Sequence, residues 1–231
     1  MRSSKPVKLG VSGLDKLLSG GFLEGSTALL IGPAGTMKSY IGQQFIQEGL
    51  KAGERCVYIS TFQSLSDIEY QMRVNLGFEI RSYLEKGELI FVDVHDLFVM
   101  KYLDQIESIE VREVMEKILE AGERLEGGRE LLHSLTPLFH VVDRERAVLR
   151  LVHSLKARAK ERKTTLLLIL DEGAQSRQAE EGLKSICDYV LATRTSEGGL
   201  RMLRVEKSLV KHDLRWHELS FQERGVRVHP K

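Results

Sequence analysis

The segment Gly32-Pro33-Ala34-Gly35-Thr36-Met37-Lys38-Ser39 carries the most chemically specific spacing in this chain. It satisfies G-x-x-x-x-G-K-[ST] at Gly32, Lys38 and Ser39, with Met37 where the pattern has its second glycine. In such a loop, backbone N–H groups and a helix N-terminus converge on phosphate oxygens. Gly32 and Gly35 would permit the turn, Lys38 would reach the β- and γ-phosphates, and Ser39, with Thr36 beside it, would line the site and hold Mg²⁺. The plain alternative is a Gly/Pro turn that merely begins a helix. A second candidate is the apolar run Leu166–Leu170 followed by Asp171-Glu172. That pattern suits a Mg²⁺ ligand beside a catalytic base. Its plain alternative is a pair of carboxylates capping the segment GAQSRQAEEGLKS.

Elements must exist that bring such residues together. Short apolar runs alternate with longer amphipathic ones, which predicts an α/β fold: a doubly wound, mostly parallel sheet. Strands are expected at Thr27–Ile31, Cys56–Ser60, Leu89–Val94, Glu130–Leu135, Thr164–Leu170 and Ile186–Ala192. Helices are expected at Lys38–Lys51, Leu65–Leu76, 103–125 and 144–162. Beyond Ala192 the period changes to alternation (Leu200–Lys207, Trp216–Phe221, Val226–Val228), predicting antiparallel C-terminal hairpins at one sheet edge. Neither repeats nor linkers divide residues 1–231, so a single domain is expected.

Composition narrows the function. The chain has 231 residues, with 34 Lys and Arg against 33 Asp and Glu, a net charge of +1. Bulk attraction to nucleic acid or anionic lipid is therefore excluded. A local patch is a separate matter: Lys156, Arg158, Lys160, Arg162 and Lys163 gather at a helix end and could contact DNA phosphates. No aromatic residues interleave with them, and a solvated helix face is the simpler reading. Cys56 and Cys187 sit in apolar runs and read as reduced core thiols. The longest apolar run has five residues, so no membrane contact is expected. MRSSKPVKLG has no apolar signal region, and a cytoplasmic location follows. Asparagine occurs only at Asn75, a bias that fits an archaeal or thermophilic source. His212 and His217 lack a third metal-ligand partner, and Trp216 reads as packing in the tail.

Several segments in order carry a resemblance: GVSGLDKLLSGG (residues 10–21), Gly25-Ser26, the phosphate loop, GLKAGERCVYIS, LGFEIRSYLEKGELIFVDV and HDLRWHELSFQERGVRVHP. Together they resemble the KaiC-like branch of the RecA/RadA ATPases over nearly the whole chain. The resemblance implies a RecA-like core, ATP or ADP with Mg²⁺ at residues 32–39, and a homo-oligomeric ring with nucleotide between subunits. It also implies losses. Where the family has Phe-Glu-Glu, with a glutamate that activates water, this chain has Phe62-Gln63-Ser64, and Gln63 can orient water but not take its proton. His133 falls at the Walker B aspartate, or packs as a plain core histidine. Lys207-Ser208-Leu209 replaces the Lys-x-Arg that reaches a neighbour's γ-phosphate.

These departures imply a nucleotide-binding regulator or scaffold, non-hydrolysing or very slow, with an unknown protein partner. One alternative is an active ATPase using Gln63 to place water, with Asp171 or Glu172 compensating for His133. Another is a recombinase-paralogue DNA-binding module.

Overall fold

The computed structural model describes residues 5–95, 111–123, 125–141 and 145–230. The chain opens with a small ribbon, β1 (Pro6–Val7) and β2 (Phe22–Leu23), with α1 (Leu14–Leu17) between them. The main elements then follow as β3 (Thr27–Gly32), α2 (Lys38–Lys51), β4 (Cys56–Ser60), α3 (Leu65–Leu76), α4 (Arg81–Glu85) and β5 (Leu89–Asp93). After these come α5 (Val111–Ala121), β6 (Arg129–His133), α6 (Thr136–Val141), α7 (Glu145–Arg162), β7 (Thr165–Asp171) and α8 (Arg177–Ile186). The tail holds β8 (Tyr189–Thr195), β9 (Arg201–Lys207), β10 (His217–Gln222) and β11 (Gly225–His229).

Nine strands form one sheet in the order β11-β10-β9-β8-β3-β7-β6-β4-β5. The six from β8 to β5 are parallel, and β9, β10 and β11 extend the sheet antiparallel beyond β8. This is the doubly wound architecture with antiparallel C-terminal strands that the change of period predicts. Each sheet face carries its own apolar layer, because successive strand side chains point to opposite faces. Ala28, Leu30, Tyr58, Leu131 and Ile169 pack with Ile41, Phe45 and Ile46 of α2 and Ile68 and Met72 of α3. Leu29, Ile31, Ile59, Leu132 and Leu170 pack with Val148, Val152 and Leu155 of α7 and Leu183 of α8. β3 is buried along its whole length, so truncating Leu30 to Ala should cost about 2–5 kcal/mol.

Two expected boundaries are corrected. The strand expected from Ile186 begins at Tyr189, because residues 177–186 form α8. Ala179, Leu183 and Ile186 fall on one helical face, and the Ser176 hydroxyl accepts from the Ala179 N–H as its cap. Asp171 and Glu172 therefore do not cap this helix. The helix expected over 103–125 is described only as α5, which ends at Ala121 before a turn; residues 103–110 lie outside the described residues. The two thiols are buried, and burial pushes both Cys56 and Cys187 up to about 12.

The basic end of α7 is largely consumed inside the fold. Lys156 donates to the Ile186 carbonyl and to Asp188, each at 2.6 Å. Arg158 bonds the buried Glu130 carboxylate and the Leu119 carbonyl, and Arg162 pairs with Glu126. Of the five cations that the alternative reading would set against DNA phosphates, Lys156 and Arg158 are tied into the fold, Arg162 makes a surface ion pair, and Lys160 and Lys163 are exposed. In the tail, the Trp216 ring packs against the guanidiniums of Arg194 and Arg204, with ring-centroid distances of 4.1 and 4.6 Å. His212 faces the Val210 carbonyl and His217 faces Asp213. No helix among the described residues is long and apolar enough to cross a membrane.

Candidate functional site

Parallel pairing brings four strand ends to one edge of the sheet. Gly32 of β3 lies beside Asp171 of β7, and His133 of β6 lies beside Ser60 of β4. In open α/β sheets, ligands bind in the crevice outside such carboxyl ends. A cavity of about 710 Å³ occupies this place, with Lys38, Ser39, Gln63, His133, Asp171 and Arg201 in its walls.

The loop between β3 and α2 is fixed by close packing. A Cβ on Gly32 would fall 2.1 Å from the Thr193 Oγ1 of β8, so a larger residue would force the strands apart. Thr36 is buried, and its hydroxyl lies 2.8 Å from the Pro33 carbonyl and 2.7 Å from Thr193 Oγ1. The Thr36 side chain thus pins the loop to β8 and does not line the cavity; Gly32 and Pro33 act through their carbonyls. Met37 stands at φ 70°, ψ 15°, left-handed backbone that favours glycine. Holding a non-glycine residue there costs about 1–2 kcal/mol. Its side chain lines the cavity and packs against the core beneath α2.

Lys38 is buried at the base of the loop. Its ammonium donates to the Gly32 carbonyl at 2.7 Å and the Pro33 carbonyl at 2.6 Å, and pairs with Asp171 Oδ1 at 2.9 Å. Asp171 is thereby brought directly to the loop, as the apolar run ending in an acid suggests. Glu172 is not: its N–H donates to the Gly32 carbonyl, and its side chain is exposed and absent from the cavity wall.

Ser39 meets His133. The imidazole Nε2 lies 2.9 Å from Ser39 Oγ, and Nδ1 lies 2.6 Å from the Tyr58 hydroxyl. Phe62 covers the ring edge-to-face at 4.6 Å between centroids. Burial pushes the ring's pKa down to about 3, with the Asp171 charge opposing and Lys38 reinforcing the shift, so His133 is neutral near pH 7. It is buried as a core histidine would be, yet it touches the loop hydroxyl directly.

Gln63 lines the same cavity, on a turn in which the Ser60 hydroxyl donates to the Gln63 carbonyl at 2.6 Å. Ser64 has a purely structural task here. It caps α3 in a reciprocal box with Asp67, whose carboxylate pKa is lowered by the Ser64 hydrogen bonds. Lys207 bonds the Lys184 and Ser185 carbonyls near the end of α8, and Leu209 is exposed.

Sequence reasoning missed the opposite wall. The Arg201 Nε donates to the Gly35 carbonyl at 2.9 Å, which places a guanidinium over the loop. Tyr40 and Phe221 meet edge-to-face at 5.0 Å, and Gln71 and Asn75 of α3 complete this side. Arg201 and Phe221 are brought in by the tail strands. Their only signal in the sequence is the alternation that makes those strands part of the main sheet.

A glycine-bearing loop between a parallel strand and a helix, with Lys38 and Ser39 at the helix start, defines a RecA-like protein of the phosphate-loop class. The KaiC ATPase family matches residues 7–231, and the chain belongs to that family. It is 28% identical to a UPF0273 protein of Methanopyrus kandleri, over 97% of this chain and 92% of the relative. A UPF0273 protein of Pyrococcus horikoshii is 25% identical over 98% of this chain and 95% of its own. A crystal structure of a KaiC-like protein from Pyrococcus horikoshii shares the fold with a TM-score of 0.81 at 23% identity, covering 98% of this chain and all of that one.

Proposed function

We propose that this chain is a single KaiC-type domain that binds ATP or ADP at residues 32–39 and hydrolyses it very slowly or not at all, acting as a regulator or scaffold. The observation that carries this reading is the composition of the cavity wall. Two cations, Lys38 and Arg201, and the start of α2 converge on one place, as a phosphate chain requires. The positions that would drive hydrolysis hold Gln63, His133 and Leu209. Gln63 cannot accept a proton at neutral pH, and an arginine at the Leu209 position would be worth about 10³–10⁵ in rate. The Tyr40 and Phe221 rings supply an aromatic edge for a base.

A second reading is supported by Asp171, which sits in the cavity 2.9 Å from Lys38. A working ATPase could use that carboxylate and place water with Gln63. A thermal-shift titration with ATP and ADP, beside Lys38→Ala, tests binding. The reading expects a rise in the midpoint that the variant lacks, and no rise in either protein at millimolar nucleotide would sink it. Phosphate release separates the two readings. A homo-oligomer remains part of the proposal, held by contacts other than an arginine reaching across to phosphate.

A further inference from the structure

The residues around Ser39 do not suit a divalent cation. Mg²⁺ takes hard oxygen ligands in octahedral array, usually one or two carboxylates with water and phosphate. The group seated on Ser39 is an imidazole nitrogen at 2.9 Å. Whichever ring nitrogen carries the proton, this ring brings no negative charge to the position. Among the described residues lining the cavity, Asp171 is the sole carboxylate, and it is already paired with Lys38. The positive charge that a phosphate chain needs is instead built into the protein, as the Lys38 ammonium and the Arg201 guanidinium anchored on Gly35.

We propose that this site takes the phosphate chain of a nucleoside di- or triphosphate without a divalent cation. The inference rests on the nucleotide-binding reading above and names the form of ligand that the cavity selects. Lys38 exchanges its bonds to the Gly32 and Pro33 carbonyls for phosphate oxygens. Arg201 closes from the opposite wall. Ser39, positioned by His133, hydrogen-bonds the phosphates instead of a metal. Asp171 stays paired with Lys38.

The test is calorimetric titration of the full chain with ADP and with ATP, once in Mg²⁺ and once in EDTA. Affinity in EDTA is expected to equal that in Mg²⁺ within about threefold, because no ligand set rewards the ion. A loss of tenfold or more on removing Mg²⁺ would overturn the proposal while leaving nucleotide binding intact. Absence of binding in both buffers would remove the nucleotide reading itself, and the proposal with it. His133→Asp returns a carboxylate to Ser39, and its affinity for ATP should become at least about tenfold tighter in Mg²⁺ than in EDTA. A folded variant that gains nothing from Mg²⁺ counts against the proposal. Should that variant not fold, Ser39→Ala serves in its place. An equal loss of affinity in both buffers is expected, and a loss confined to the Mg²⁺ buffer would contradict it.

Discussion

The two halves of the cavity have been treated differently. The β3–β7–β8 half keeps the loop, the buried lysine and an acid beside it. The β6–β4 half holds a neutral imidazole, a glutamine and a helix cap, at positions where the resemblance to the family implies acids. The first half is made largely of backbone: Gly32 against Thr193, Thr36 against Pro33, and carbonyls around Lys38. Disturbing it would disturb the fully buried strand β3. The β6–β4 half depends on single side chains at or just beyond strand ends, His133, Gln63 and Ser64, and not on the backbone of the loop. On the proposed reading, the binding geometry is tied to the backbone of β3 and its loop, while hydrolysis would rest on separate side chains.

The largest effect is on ligand-induced stability. Nucleotide at 100 times its Kd should add about 2.7 kcal/mol to the native state. Lys38→Ala should abolish that increment in a thermal-shift titration, and a variant that retained it would detach binding from the loop. Next is the pH dependence of the ligand-free protein. The His133 pKa is low in the fold, so between about pH 6.5 and 3 the unfolded chain binds a proton that the native chain refuses. Stability should therefore fall as pH drops below 6.5, by about 1.4 kcal/mol per unit from this residue alone. The window from pH 6.5 to 5 isolates it from ordinary carboxylates. Urea melts of His133→Gln should show a flatter profile there, and an unchanged slope would assign the proton elsewhere.

Arg201→Ala should weaken nucleotide binding by about three- to tenfold by removing a charge-assisted contact. The calorimetric Kd checks this, and an unchanged value would take the second wall out of the site. Smallest is Met37→Gly. It relieves left-handed strain of about 1–2 kcal/mol but loses apolar packing and adds unfolded-state entropy. Net stability should move by less than about 1 kcal/mol, with affinity undiminished. A large gain in affinity would mean that the Met37 side chain obstructs the phosphates.

Much of the fold was legible because local signals agreed with tertiary demands. α2, β4 and α3 lie where periodicity and their flanking Gly53, Ser64 and Gly77 place them. α8 was raised only as the segment that Asp171 and Glu172 would cap, and its end was missed: its apolar stripe is only Ala179, Leu183 and Ile186 within a charged run, and an apolar strand follows directly after Cys187 and Asp188. In the site, Lys38 and Ser39 were readable from one contiguous motif, while His133 came only through the family resemblance, which left a plain core histidine open. The Ser39–His133 bond required β6 to lie beside β7, and Arg201 over Gly35 required β9 beside β8. Both bonds join residues more than ninety apart in the chain, which local pattern does not encode. The α7 patch misled in the opposite direction. Its cations looked free in sequence, but their partners Glu126, Glu130 and Asp188 lie far along the chain.

The most direct measurement is steady-state phosphate release from saturating Mg-ATP, for the parent chain and Lys38→Ala side by side. The account predicts that the two rates coincide at background while only the parent binds nucleotide. A parent rate clearly above that of the variant would contradict it, and would make Gln63 of the β6–β4 half and Asp171 of β7 the residues to change next.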